Sequence, residues 1–295
     1  MSTVYETVTE RIIARLNAGV IPWRKPWNAG GRAPMNLFSR KPYRGINVLM
    51  TASAGYARPE WCTFNQARSI GAHVRMGEKA TPIVFWSLPG KDAESQTEQK
   101  TEGRRVAFCK LFYVFNVAQI EGIPAHVLPD LPKPSAFEQI HSTQAIVNRY
   151  IGRDHGPVLR HGMGRAFYRP SEDAIGMPYA VAFESRAGYY STLFHEMTHS
   201  TGHRSRLARE GVICGARFAS HAYSEEELIA EMGACFLRAL AGIDETPQVE
   251  NSAAYIASWL KRLHGDKRLV MTAAAAAQRA ADRIAPAAEA VAAAA

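Results

Sequence analysis

The chain has 295 residues, enough for two ordinary domains, and carries 35 Lys and Arg against 27 Asp and Glu, a net charge of +8. No apolar run reaches membrane-spanning length and the N-terminus lacks a signal-peptide pattern, which points to a cytoplasmic protein with no membrane partner. Cys62, Cys109, Cys214 and Cys235 have no paired spacing, so they read as reduced thiols and exclude a disulfide framework or a zinc ribbon.

The surplus charge is confined to one end. Residues 1–90 hold 12 Lys and Arg against 4 Asp and Glu, whereas residues 91–295 hold 23 of each. That asymmetry predicts a polyanion-binding region joined to an electrostatically neutral one.

The first element is an amphipathic helix over 3–18, with Val4, Val8, Ile12, Ile13 and Leu16 on one face and Gly19 at its end. Rings and cations then alternate in Pro22-Trp23-Arg24-Lys25-Pro26-Trp27, again in Arg40-Lys41-Pro42-Tyr43-Arg44, and Trp61-Cys62-Thr63-Phe64 follows. Single-stranded nucleic acid is gripped by cationic grooves with rings on which bases stack, worth roughly 1–3 kcal/mol per base. Duplex readers instead use a recognition helix rich in Arg, Asn and Gln, and none is evident. The candidate DNA contacts are therefore Trp23, Arg24, Lys25, Trp27, Arg40, Lys41, Tyr43, Arg44, Trp61, Arg75 and Lys79. For each tryptophan, a place in the core is the competing reading.

Short helices are predicted over 47–54 and 63–71, and strands over 82–88 and 106–117 where β-branched and aromatic residues concentrate. The polar stretch 89–103 between the strands reads as a hairpin loop. Pro129, Pro132 and Pro134 mark 126–135 as a linker, which divides the chain into a basic domain over 1–125 and a second domain over 136–272. The second opens with a helix over 137–150 and short strands through Phe167 and Tyr168.

A further helix follows, with Ser185 as N-cap and Tyr189, Tyr190, Leu193, Phe194 and Met197 as its apolar stripe. It carries His195-Glu196-Met197-Thr198-His199. On a helix, histidines four apart share a face and can grip one metal ion, while the glutamate between them can take a proton from metal-bound water. This is the zinc-metallopeptidase arrangement, with zinc or another divalent transition metal as the expected ion. A third histidine six residues beyond the second would complete the metzincin pattern, but Ser205 stands there and His203 comes too early. A carboxylate from Ser224-Glu225-Glu226-Glu227-Leu228-Ile229-Ala230-Glu231 is the better third ligand. With Ser224 as N-cap, Glu227 has a capping explanation, so Glu231 is favoured as ligand; Glu227 is the alternative, or a neighbour that orients a histidine. Tyr223 and His203 are candidate oxyanion donors. From Ala273 onward the chain is alanine-rich and reads as a tail whose first part is helical.

Taken together, these blocks resemble the ArdC-like antirestriction proteins of conjugative plasmids, whose N-terminal domain also occurs in plasmid primases of the TraC type. The N-terminal matches are Pro22-Trp23, Asn36-Leu37-Phe38, Tyr43-Arg44-Gly45-Ile46-Asn47, Gly71 through Ala80, and Phe115-Asn116-Val117-Ala118-Gln119. The C-terminal ones are Phe194 through His203 and Glu226 through Glu231. The resemblance implies an α+β chain: a small α/β single-stranded-DNA-binding domain followed by a zincin-like metallopeptidase domain. It implies a protein that shields incoming plasmid DNA from host restriction during conjugation, with single-stranded DNA and a restriction-system protein as partners. Two other readings stay open, a DNA-shielding module with a structural metal site and a primase accessory protein.

Overall fold

The computed structural model describes residues 3–23, 33–87, 108–129, 136–214, 221–243 and 253–286. Helix α1 (Val4–Asn17) opens on a reciprocal cap: the Glu6 N–H donates to Thr3 Oγ1 at 3.2 Å and the Thr3 N–H to Glu6 Oε2 at 2.7 Å. Val8, Ile12, Ile13 and Leu16 are buried, as the periodicity predicts, and Gly19 leaves the helix at φ +75°.

The N-terminal half continues through β1 (Met35–Asn36), α2 (Ile46–Ala52), β2 (Glu60–Thr63), α3 (Phe64–Ser69), β3 (His73–Val74), β4 (Thr81–Ser87), β5 (Phe108–Asn116) and β6 (Ile120–Glu121). A four-stranded sheet runs β1-β2-β5-β4, parallel between β1 and β2 and antiparallel elsewhere, while β3 and β6 form a small second ladder. Thr63 and Gln66 cap α3 reciprocally, which satisfies two of the backbone donors left over where the strand turns into the helix. Strands β4 and β5 pair from Thr81–Val114 to Ser87–Phe108. Their inner ends bury Ile83, Val84 and Val114, whereas the outer part exposes Phe85, Trp86, Phe112 and Tyr113.

The C-terminal half consists of α4 (Ala136–Ile151), β7 (Val158–His161), β8 (Phe167–Arg169), β9 (Ala174–Met177), α5 (Arg186–Ser200), α6 (Glu210–Ile213), α7 (His221–Ala241), α8 (Ala253–Gly265) and α9 (Leu269–Ile284). A three-stranded sheet runs β7-β9-β8, with the central β9 wholly buried. Helix α5 packs against β8 and β9, α7 against α5, and α9 against α7. Among the described residues no helix is long and apolar enough to cross a membrane.

Three expectations are corrected here. The alanine-rich stretch is no tail as far as Ile284: Ala273, Ala274, Ala277 and Ala280 are fully buried in α9. Alanine favours helix and lets a neighbour approach closely, so the stretch serves as core against α7. Trp23 and Trp61, expected to meet DNA, are 0% and 1% exposed and offer bases no face. The Trp23 ring packs edge-on against Trp259 at 5.8 Å and its indole N–H donates to the Tyr255 hydroxyl at 3.3 Å, while Trp61 packs edge-on against Tyr56. Finally, α7 starts at His221, so Ser224 lies inside the helix and does not cap it.

Of the linker expected over 126–135, residues 130–135 lie outside the described set, as does the predicted loop 89–103. The two halves share one hydrophobic core, continuous from Val8, Trp23 and Ile83 to Phe194, Met232 and Ala277. Polar contacts reinforce it: Thr9 Oγ1 donates to the Lys267 carbonyl at 2.7 Å, and the Gly45 N–H donates to Gln278 Oε1 at 2.8 Å.

Candidate metal centre and nucleic-acid interface

Helix α5 begins where Ser185 Oγ accepts the Gly188 N–H at 3.0 Å, and it ends at Thr201 without a left-handed glycine. One helical turn apart, His195 and His199 project from the same face, and their Nε2 atoms come to 3.1 Å of each other. The carboxylate of Glu227 on α7 closes the triangle, with Oε2 3.6 Å from His195 Nε2 and Oε1 3.6 Å from His199 Nε2. Among the described residues this is the group whose donor atoms, all within 4.8 Å, could hold an ion. Tetrahedral ligands at zinc-like bond lengths lie about 3.3 Å apart, so the spacing of the three donors fits a single divalent ion.

Glu231, the carboxylate favoured from the sequence, stands outside this group and reaches His195 only through its charge. With α7 beginning at His221, the capping role that would have explained Glu227 disappears.

Glu226 is the functional residue that the sequence did not disclose. It is 5% exposed, and its Oε1 accepts from His199 Nδ1 at 3.1 Å. Arg209 holds the other side, donating through Nε to Oε2 at 2.8 Å and through Nη2 to Oε1 at 2.6 Å. Burial alone would favour the protonated acid, but Arg209 and His199 outweigh it and hold Glu226 below the usual carboxylate range. An ionised carboxylate can only accept, so His199 Nδ1 carries the proton and the Nε2 lone pair points into the cluster. The sequence carried a signal: in the run Glu225-Glu226-Glu227 successive side chains step about 100° around the helix, so one of them had to turn inward.

The remaining groups respond to the same cluster. Burial works against a charge on His195, yet the hydrogen bond with Glu227 and the charges of Glu196, Glu231 and Glu227 raise its pKa to about 9. Glu227 is held low despite burial, chiefly by His195, then His199, with help from the hydroxyl of Tyr223. Burial and the charge of Glu227 push Tyr223 up, which keeps it a donor. Glu196 is 8% exposed and makes no hydrogen bond or ion pair among the described residues. His203 lies apart, 2.8 Å from Ser205 Oγ and 3.7 Å from Asp173 Oδ2, beside the Arg206–Asp173 ion pair.

Helices α5 and α7 come this close because Gly233 faces Thr198. A Cβ on Gly233 would meet Thr198 Cγ2 at 2.5 Å.

For the nucleic-acid interface, Arg24, Lys25 and Trp27 lie outside the described residues. Arg40, Lys41, Arg44, Arg75 and Lys79 are exposed. Several are engaged: Arg40 donates to the Val127 carbonyl, Arg44 pairs with Asp282, and Arg75 pairs with Glu78. Tyr43 is buried, and burial pushes its phenol up to about 12; Asn36 lies near enough to oppose that shift, yet no hydrogen bond to the hydroxyl closes. On β4 and β5 the exposed rings are others, Phe85 at 51%, Trp86 at 57%, Phe112 at 45% and Tyr113 at 55%. Their signal was the pairing of aromatics at adjacent strand positions, which puts rings on both faces of the outer end of β4 and β5, where both members of each pair are exposed.

Residues 148–276 match the family model of zincin-like metallopeptidases, and residues 2–115 match that of the N-terminal domain of the anti-restriction factor ArdC. The crystal structure of the antirestriction protein ArdC from plasmid R388, in its metal-free form, superposes with a TM-score of 0.73 at 39% identity, covering 96% of this chain and 97% of that one. This chain belongs to the ArdC family of antirestriction proteins. The Mn(II)-bound structure of the R388 protein gives a TM-score of 0.72 at 38% identity over the same shares, 96% and 97%. Among curated relatives, the y4eC protein of Sinorhizobium fredii is 37% identical over 292 residues, 95% of this chain and 90% of that one. A DNA primase TraC of Escherichia coli is 37% identical over 299 residues, but the ArdC-family chain spans only 26% of that primase. The two-domain ArdC architecture accounts for both the basic N-terminal sheet and the histidine helix.

Proposed function

We propose that this ArdC-family protein binds single-stranded DNA through its N-terminal half and carries a divalent-metal peptidase centre in its C-terminal half. Together they protect DNA entering a recipient cell during conjugation, and a restriction-system protein is the peptide substrate. The observation that carries the reading is the convergence of His195, His199 and Glu227, with Glu196 nearly buried and free of hydrogen bonds and ion pairs among the described residues.

His195, His199 and Glu227 would hold the ion, and Arg209 and Glu226 would keep His199 aimed at it. Zinc suits two imidazoles and a carboxylate, and the Mn(II) form of the R388 relative extends the choice to other divalent transition metals. Such an ion, when bound, activates a water and polarises a carbonyl. Glu196 is then the group placed to take the proton of the attacking water and return it to the leaving amine. Tyr223, kept protonated, donates to the carbonyl oxygen as charge develops there.

Replacing single carboxylates tests the assignment. Glu227→Gln should lose bound metal by elemental analysis, whereas Glu231→Gln and Glu196→Gln should retain it. The reverse outcome at 227 and 231 overturns the ligand set. Glu196→Gln should lower any peptide hydrolysis by roughly 10²–10⁴-fold. The similarity to part of the TraC primases supports a competing reading, DNA shielding with a structural metal site. Full protection of transferred DNA by the Glu196→Gln protein would favour it.

A further inference from the structure

We propose that single-stranded DNA is held in a groove built jointly by the β4–β5 hairpin and helix α9, so that the nucleic-acid site extends onto the C-terminal half of the chain. This rests on the single-strand reading above and names its site.

The groove has a volume of about 770 Å³, and none of its lining residues belongs to the metal cluster. Phe85, Trp86 and Phe112 of the hairpin line it, and so do Met271, Ala275 and Arg279 of α9. Rings exposed by about half on a sheet, with Phe85 and Phe112 already edge-on at 5.3 Å, leave faces free for a flat partner. Nucleobases are flat, and stacking on such rings is the main sequence-tolerant contribution to single-strand binding.

Charge selects the same occupant. Lys41, Arg44 and Arg279 line the groove, and no Asp or Glu does. Arg44 shares its charge with Asp282, whereas Lys41 and Arg279 make no ion pair among the described residues. A peptide partner of ordinary composition would find cations with nothing to neutralise, but a phosphate backbone running past the rings would neutralise them. Tyr43 lines the groove too, and its hydroxyl is buried with no hydrogen-bond partner among the described residues. A duplex would keep its bases stacked on each other and out of reach of the rings.

The site therefore differs from a domain that binds DNA by itself. Its α9 wall packs on α7, the helix that brings Glu226 and Glu227 to the histidines.

The test uses the full-length protein and fluorescein-labelled oligothymidylate, with anisotropy titrations over a range of salt. Trp86→Ala should weaken binding about tenfold. Arg279→Glu should weaken it by a similar factor and flatten the dependence on salt by about one charge, with most of the loss recovered in Arg279→Lys. Trp86 is the exposed one among the described tryptophans, so quenching of tryptophan fluorescence by DNA should fall in Trp86→Phe, and this arm reads contact rather than stability. Wild-type affinity in both Trp86→Ala and Arg279→Glu overturns the groove while leaving the single-strand reading intact. Loss in Trp86→Ala without loss in Arg279→Glu overturns the α9 wall. A wild-type protein that fails to bind oligothymidylate overturns the groove and the single-strand reading together.

Discussion

At the scale of single residues, the centre depends on a carboxylate that is itself no proposed ligand but holds one in place. Glu226 sits between Arg209 and His199 Nδ1, so its work is to fix a ring and a tautomer. Glu226→Gln preserves the shape but weakens the acceptor and leaves Arg209 without its counter-charge. We expect the variant to fold and to bind Zn(II) roughly 10–100-fold more weakly in competition with a chromophoric chelator. Unchanged affinity would show that His199 needs no help to stay aimed. His195, Glu196 and His199 were legible in the sequence because their spacing is itself the chemistry. The third ligand was not, because Glu227 and Glu231 share one face of α7 and only the crossing of α7 over α5 decides which meets the histidines. That crossing is a tertiary property with no local signal.

At the scale of elements, the crossing turns on one pair of small groups. Thr198 cannot swing away from Gly233, since it is buried and its hydroxyl donates to the Phe194 carbonyl at 2.7 Å. A methyl at 233 must therefore push the helices apart. Alanine in place of glycine gains about 1 kcal/mol of helix propensity, but overpacking of a close contact costs about 1–3 kcal/mol. Gly233→Ala should thus lower the melting temperature and weaken metal binding, since Glu227 rides on the displaced helix. The same change in a Thr198→Ala background should recover much of both, and additive losses in that double mutant would refute the contact. Most helices could be read from the sequence because apolar spacing and caps are local, as with Thr3 and Glu6 on α1. The helical start of the alanine-rich stretch was legible, but its place in the core was not, because a stripe of alanines looks like low complexity until a neighbour buries it. The exposed rings of β4 and β5 were passed over for the opposite reason, since aromatic residues in a strand look like core.

At the scale of the whole molecule, two family modules occupy one hydrophobic core. The charge boundary near residue 90 is real in the sequence but marks no break in packing, because α1 packs on α8 and α9. Trp23 lies within this union. Its ring lies against Trp259, its indole N–H reaches Tyr255, and its carbonyl accepts from buried Arg238 at 3.3 Å. Removing a fully buried tryptophan costs about 3–5 kcal/mol. If the core is shared, that loss belongs to both halves at once. Calorimetry of the wild-type protein should then show one unfolding transition, and Trp23→Ala should shift it down as a unit. Release of bound metal should move with it, although Trp23 comes from the half of the chain without the metal ligands. The N-terminal segment ending at residue 125 should not unfold cooperatively by itself, since it lacks α8 and α9. Two separable transitions, with metal release unmoved by Trp23→Ala, would mean that the halves fold independently and only rest against each other.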